Sequence, residues 1–299
     1  MEDFYQKPPD YESVCSAMQE LLKRHKTLKM FPVGKSVLGR DINALCIGDP
    51  AGAVMFVGAI HGLEWLTCML LLRFCDELMY AMASGECHSE IDARIAFRER
   101  SLVIIPCLNP DGVEIALHGK AGAGDHGDEV ERLCDGNYNL WQANVRGVDL
   151  NHNFDAGWEI LRRMEIDEGF IGPGPTRYGG ISPESEPETR AVATFCLTRR
   201  PRSLYSFHSQ GEEIYYCYGK HTPAHSRIIA QILAFSSGYS VADPTGLASH
   251  GGLKDWFIEQ FYRPGFTIEI GLGKNPLGLE QLNSIYKKIS EMLIIAALL

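Results

Sequence analysis

The sequence predicts an α/β fold, with helices packed on both sides of a mixed, mostly parallel sheet, from three observations. Short apolar runs of strand length alternate with longer segments of helical length along most of the 299 residues. The runs at 53–57 and 102–106 are apolar throughout, as expected of strands covered on both faces. Between them, residues 64–82 form an apolar stretch long enough for a buried helix, so strand, helix and strand imply a parallel crossover.

The elements follow in order. A helix is predicted over 11–26, where Val14, Met18, Leu21 and Leu22 recur at helical spacing before Phe31-Pro32-Val33-Gly34 interrupts them. Residues 42–47 and 53–57, bounded by Gly39 and the Gly48-Asp49-Pro50 turn, read as strands paired with each other. The second runs into Gly58-Ala59-Ile60-His61-Gly62, and the strand at 102–106 ends at Asn109-Pro110-Asp111-Gly112. Residues 116–146, rich in glycine and polar groups, read as a long excursion without periodicity. Helices at 184–199, 227–237 and 279–299, with strands at 203–208, 214–218 and 266–270, complete the alternation. Without an internal repeat or a long Pro/Gly/Ser linker, one domain over 1–299 is expected.

Composition narrows the function classes. Hydrophobic residues at 45% and charged residues at 22% exclude disordered and fibrous chains. No run approaches the roughly 20 apolar residues of a membrane helix, so no membrane partner is expected. Lys+Arg 28 against Asp+Glu 38 leaves a formal charge of −10, which argues against a nucleic-acid partner. The polar, acidic start Met1-Glu2-Asp3-Phe4-Tyr5 lacks the features of a secretory signal, and a cytoplasmic location is expected. Nine cysteines, an odd number without a C-x-x-C pair, read as reduced thiols.

The chemistry concentrates in a few places. His61 and Glu64 stand three residues apart where a strand gives way to a helix, a spacing that lets both side chains converge on one ion. His208 ends the apolar strand Leu204-Tyr205-Ser206-Phe207 and is the best third ligand, because sites in α/β sheets assemble at the carboxyl ends of strands. Two histidines and one carboxylate leave a fourth position open, the arrangement of catalytic zinc, so one Zn2+ per chain and hydrolysis follow. Glu269, inside the run Phe266-Thr267-Ile268-Glu269-Ile270, is the candidate general base. In Arg146-Gly147-Val148-Asp149-Leu150-Asn151-His152-Asn153, Asp149 is suited to hold the second ring nitrogen of a ligating histidine. Arg146 is suited to stabilise an oxyanion, and Asn151 to hold a substrate carboxylate or amide.

Together, His61-x-x-Glu64, Asn109-Pro110-Asp111-Gly112, Val148-Asp149-Leu150-Asn151, His208 and Thr267-Ile268-Glu269 resemble the zinc metallocarboxypeptidase family in order and spacing. Residues 33–42 resemble the family's N-terminal strand, and Gly251-Gly252-Leu253-Lys254-Asp255-Trp256 its specificity-pocket loop. The resemblance implies an α/β/α sandwich around an eight-stranded mixed sheet. It further implies zinc on His61, Glu64 and His208, Glu269 as base, and Asp149 behind His61.

The departures sharpen the expectation. Where the resemblance leads one to expect arginines, this chain has His152 after Asn151 and Leu63 inside H-x-x-E, and Leu247 stands where a tyrosine caps the pocket. An ungapped reading places Gln142, rather than Arg146, at the oxyanion position. These features, with Phe207-His208-Ser209-Gln210-Gly211-Glu212 and Lys254-Asp255-Trp256-Phe257, resemble the branch of γ-D-glutamyl-meso-diaminopimelate peptidases, which cut bacterial cell-wall peptides. The resemblance implies a muropeptide substrate, bound by Asn151, His152 and Gln210. Lys254 is expected to pair with the distal carboxylate of diaminopimelate, with His250 near the closer one. Recycled or imported muropeptides fit the expected location. A carboxypeptidase of other specificity or an N-acyl amino acid deacylase stays open, as does a non-catalytic muropeptide-binding module. The Asn-Pro-Asp-Gly segment argues against the deacylase, and the retained Glu269 against the binding module.

Overall fold

The computed structural model describes residue 1 and residues 3–299. Its eight-stranded mixed sheet comprises β1 (Lys29–Lys35), β2 (Asp41–Ile47), β3 (Val54–Val57), β4 (Leu102–Ile105), β5 (Ser203–Ser209), β6 (Glu213–Tyr215), β7 (Ser240–Val241) and β8 (Gly265–Ile270). The spatial order is β1-β2-β4-β3-β5-β8-β6-β7. The central run β4-β3-β5-β8 is parallel, as is β6 with β7, and the remaining pairs are antiparallel. One expectation is corrected: β2 and β3 are not partners, because β4 lies between them. The crossover from β3 returns β4 as a parallel neighbour, and β2 adds antiparallel to the far side of β4.

The principal helices are α1 (Tyr11–Arg24), α2 (Leu66–Ser84), α3 (Pro110–His118), α4 (Trp158–Asp167), α5 (Pro187–Arg199), α6 (Ser226–Ser237), α7 (Leu253–Phe261) and α8 (Leu282–Leu298). Alternation along the strands divides the core. Val54, Phe56, Leu102, Ile104 and Phe207 face one layer, formed by α1, α2, α6 and α8. Met55, Val57, Val103, Ile105 and Leu204 face the other, formed by α5 and α7. Both faces of β3 and β4 are therefore covered, which accounts for their uninterrupted apolar sequence.

Helix starts follow local chemistry. The Asp10 carboxylate accepts from Ser13 N at 2.8 Å to cap α1, and Asn109 accepts from Gly112 N at 2.9 Å to cap α3, with Pro110 in its first turn. The excursion at 116–146 is more ordered than its composition predicts. Ile115, Val130, Trp141 and Val145 form a small core of their own around the helix Gly127–Leu133, and glycines between these residues hide the period. Helices α4 and α7 also lie where no helix is predicted. All nine cysteines are free thiols. Among the described residues no helix is long and apolar enough to cross a membrane.

Candidate active site

The site begins at the end of β3, where the chain turns through Gly58 and Ala59 to His61. Gly62 packs so closely against α3 that a Cβ would collide with the Gly112 carbonyl oxygen. Gly112 is equally confined, by the Asn109 side chain and the Ala143 carbonyl. Asn109 Nδ2 donates to Ile60 O, Gln142 O and Ala143 O at 3.1–3.2 Å, tying the His61 turn to the opposite wall. Asp111 is buried and accepts from Ser36 Oγ, Leu38 N and Arg40 Nη1 at 2.7–2.9 Å. The Asn-Pro-Asp-Gly motif is thus the scaffold of the site.

Three side chains converge there. His61 Nδ1 lies 3.3 Å from His208 Nδ1 and 3.0 Å from Glu64 Oε1, and His208 Nδ1 lies 3.0 Å from Glu64 Oε2. Their ligating atoms all fall within 4.8 Å of one another, so the cluster can hold a metal ion. The donor set fits zinc: ligands about 2.0–2.1 Å from a tetrahedral centre stand about 3.3 Å apart. Asn275 Nδ2 donates to Glu64 Oε1 at 3.3 Å and to the Ser209 carbonyl, bracing the carboxylate from behind.

Electrostatics follow from burial. His61 Nε2 meets Asp149 Oδ1 at 3.1 Å. Burial would depress the His61 imidazole, but the Glu64 and Asp149 carboxylates outweigh it and raise its pKa well above the histidine range. Burial would raise the Asp149 carboxyl, yet His61 and His152 hold it far below the carboxylate range. Glu269 lies in register with His208 on β5 and with Glu213 on β6. Burial, then Glu64, and more weakly Glu213, push its carboxyl well above the glutamate range, against the pull of His61. A carboxyl so poised beside a metal centre suits proton transfer.

These groups open into a cleft of about 380 Å3, within the range of ligand pockets. Its walls include Gln142, Asn151, His152, Glu168, Arg177 and residues 245–248. His152 is buried and its Nδ1 meets Glu165 Oε1 at 2.8 Å. Asn151 Oδ1 accepts from Leu253 N at 3.0 Å, placing it against the start of α7. Leu247 lines the cleft at the rim.

Four expectations change. Arg146 does not line the cleft: it is half-exposed and turns to Glu186 at 3.5 Å, because Asn144 Oδ1 holds its backbone N–H in a tight turn. Gln142 lines the cleft instead, and Thr176 Oγ1 donates to its Oε1. Lys254, expected as a free cation at the pocket base, is only 3% exposed and pairs with Asp255, while Nζ also donates to Cys217 O at 2.8 Å. Gln210 is exposed and outside the cleft lining, and His250 bonds Tyr218 Oη at 3.1 Å. Arg177, Thr176 and Asn275 escaped sequence reading. They occupy connections without a periodic pattern, and nothing in their spacing ties them to His61.

Comparison with known proteins agrees with this geometry. The sequence profile of the family described as zinc carboxypeptidase matches residues 14–292. The chain is 30% identical over 288 residues to gamma-D-glutamyl-L-diamino acid endopeptidase 1 of Lysinibacillus sphaericus, covering 93% of this chain and 69% of that protein. Its fold is similar to bovine thrombin-activatable fibrinolysis inhibitor, with a TM-score of 0.76 and 19% identity over 98% of this chain and 97% of the other. It is also similar to the murein-tripeptide amidase of Escherichia coli O157, with a TM-score of 0.54 and 20% identity over 89% and 91% of the two chains.

Proposed function

The chain belongs to the zinc carboxypeptidase family and is a zinc metallopeptidase, and from that premise we propose that it hydrolyses the γ-D-glutamyl–meso-diaminopimelate bond of murein peptides. The observation that carries this reading is His152. It stands in the cleft wall after Asn151, held by Glu165, where the family resemblance leads one to expect an arginine for C-terminal trimming. The 30% identity to an endopeptidase named for γ-D-glutamyl-diamino acid bonds supports the same substrate class. One catalytic domain over 1–299 carries the activity.

In this reading His61, Glu64 and His208 hold the zinc ion, with Asp149 fixing the ring of His61. Zinc, when bound, supplies the electrophile that acidifies water and polarises the scissile carbonyl. Glu269 takes the proton from the attacking water and returns it to the departing amine of diaminopimelate. Gln142, whose Oε1 is occupied by Thr176, presents its amide N–H to the developing oxyanion. His152 and Asn151 position the substrate beside these groups.

The test is mass spectrometry of L-Ala-γ-D-Glu-meso-diaminopimelate incubated with zinc-loaded protein, beside a C-terminal L-peptide and an N-acyl amino acid. Free diaminopimelate from the tripeptide, with the other two intact, is the expected result. Cleavage of the L-peptide alone would return the chain to ordinary carboxypeptidase action. No cleavage of any substrate by the metal-loaded protein would favour a binding module.

A further inference from the structure

We propose that Arg177 is the specificity residue of the cleft, gripping a carboxylate of the peptide substrate beside the scissile bond. This rests on the murein reading for the identity of the substrate, though not for the need of a carboxylate grip.

The backbone around Arg177 is fastened to the catalytic wall. Gln142 N and Ala143 N both donate to Pro175 O, at 2.8 and 3.1 Å, Arg177 N donates to Asp149 Oδ2 at 3.1 Å, and Asp149 N donates to Tyr178 O at 2.8 Å. The same Asp149 carboxylate faces His61 through its other oxygen, so the position of Arg177 is referred directly to the metal cluster. Arg177 adopts φ +62°, a left-handed conformation unfavourable for a non-glycine residue, which these bonds maintain.

Its side chain, by contrast, is held only weakly: the guanidinium lies over the Phe170 ring, 5.4 Å from its centroid, a contact that leaves its N–H donors free at the edge. Among the described residues its ion pair is to Glu168 at 3.8 Å, longer than a hydrogen bond and half-exposed on both sides, so it contributes little. The other cations nearby are spent. Arg162 donates to Glu165 Oε2, Phe170 O and Ile171 O at 2.7–2.8 Å, Arg146 turns to Glu186, and Lys254 is buried against Asp255. Among the described residues lining the cleft, Arg177 is the one Lys or Arg side chain, and the Glu168 carboxylate would otherwise repel an anionic peptide. A guanidinium with free donors matches a carboxylate through two parallel hydrogen bonds. Two carboxylates of the tripeptide flank the bond: the α-carboxylate of D-glutamate and the nearer one of diaminopimelate.

The test is steady-state kinetics of zinc-loaded wild type, Arg177→Gln and Arg177→Lys on the tripeptide and on two analogues, each amidated at one of those carboxylates. Arg177→Gln is expected to raise KM about 10–100-fold, the scale of hydrogen bonds to a charged group, with kcat within threefold and partial recovery in Arg177→Lys. Wild type should lose the same factor on one analogue, identifying the carboxylate, whereas Arg177→Gln should not discriminate against it. A KM within twofold of wild type, or equal penalties for amidation in both proteins, would overturn the assignment. Should wild type leave the tripeptide uncut, the murein reading fails, and the same comparison is made on L-peptides with free and amidated C-termini. Discrimination lost in Arg177→Gln then upholds the grip, and discrimination retained overturns it. Unchanged zinc content and melting temperature exclude a folding defect.

Discussion

One wall of the cleft stands on strand ends and the other on connections. His61 leaves β3, and His208 and Glu269 sit in register on β5 and β8, strands that are themselves buried along almost their whole length. Gln142, His152 and Arg177 lie between α3 and α5, held by hydrogen bonds such as His152 to Glu165 and Arg177 N to Asp149. The first wall inherits its geometry from core packing, where a shift of one residue would invert every side chain. The second owes its geometry to a network of polar contacts, so one side chain there can change without disturbing the sheet. In the proposed reading, chemistry falls to the rigid wall and specificity to the adjustable one.

The comparison breaks most severely at Glu269. Glu269→Gln is expected to lower kcat by about 10³–10⁴-fold, near the upper end for a general base, while zinc content by metal analysis stays at that of wild type. Loss of zinc in that variant would move Glu269 from proton transfer to metal binding.

Lys254 sharpens the boundary between the walls, because the structure puts it in the interior with Asp255. Lys254→Met leaves a buried carboxylate uncompensated and should lower stability by about 3–5 kcal/mol in urea unfolding. The preference for diaminopimelate over lysine in the substrate should persist in whatever folded protein remains.

Behind the second wall, Glu188 is fully buried and accepts from Val37 N at 2.9 Å and Asn144 Nδ2 at 3.3 Å. Burial raises its carboxyl from the ordinary 4.5 to about 7. The folded protein therefore holds a proton there that the unfolded chain releases above pH 4.5. Its contribution is complete below pH 4.5 and is lost as the pH rises through 7, a change of about 3 kcal/mol. Urea unfolding of Glu188→Gln across that window should show a flatter pH dependence than wild type. Parallel profiles would mean that Glu188 is ionised in the folded state.

The smallest effect tests the contact between the two walls. Asp149→Asn removes the charge that orients His61 and should weaken zinc about 10–100-fold in competition with a chelator. Unaltered affinity would show that His61 is positioned by the Gly62–Gly112 contact alone.

Legibility in the sequence tracks the same division. The strands at 53–57 and 102–106 and the helix between them were readable because burial on both faces leaves an uninterrupted apolar record. His61, Glu64, His208 and Glu269 were readable because each adjoins such a run. Helix α7 escaped because Gly251-Gly252 signals a loop, although Asp255 Oδ2 accepts from Gly252 N at 3.3 Å and caps it. The place of Arg146 is not legible in the sequence, because charge and proximity to Asp149 say nothing about which way a turn points a side chain. The place of Lys254 is hidden for a related reason: Asp255 is its neighbour in sequence, but only the burial of both makes their pairing obligatory.

What the sequence determined by itself is therefore the α/β layering, the identity of the metal-binding set and the reaction class, since periodicity and ligand chemistry are local properties. What only the tertiary structure decided is the order of the strands, the burial of Lys254, the exchange of Arg146 for Gln142 and Arg177 in the cleft, and the bracing of Glu64 by Asn275. Those depend on contacts between segments far apart in the chain, whose hydrogen bonds and exclusion of water exist only once the layers have closed.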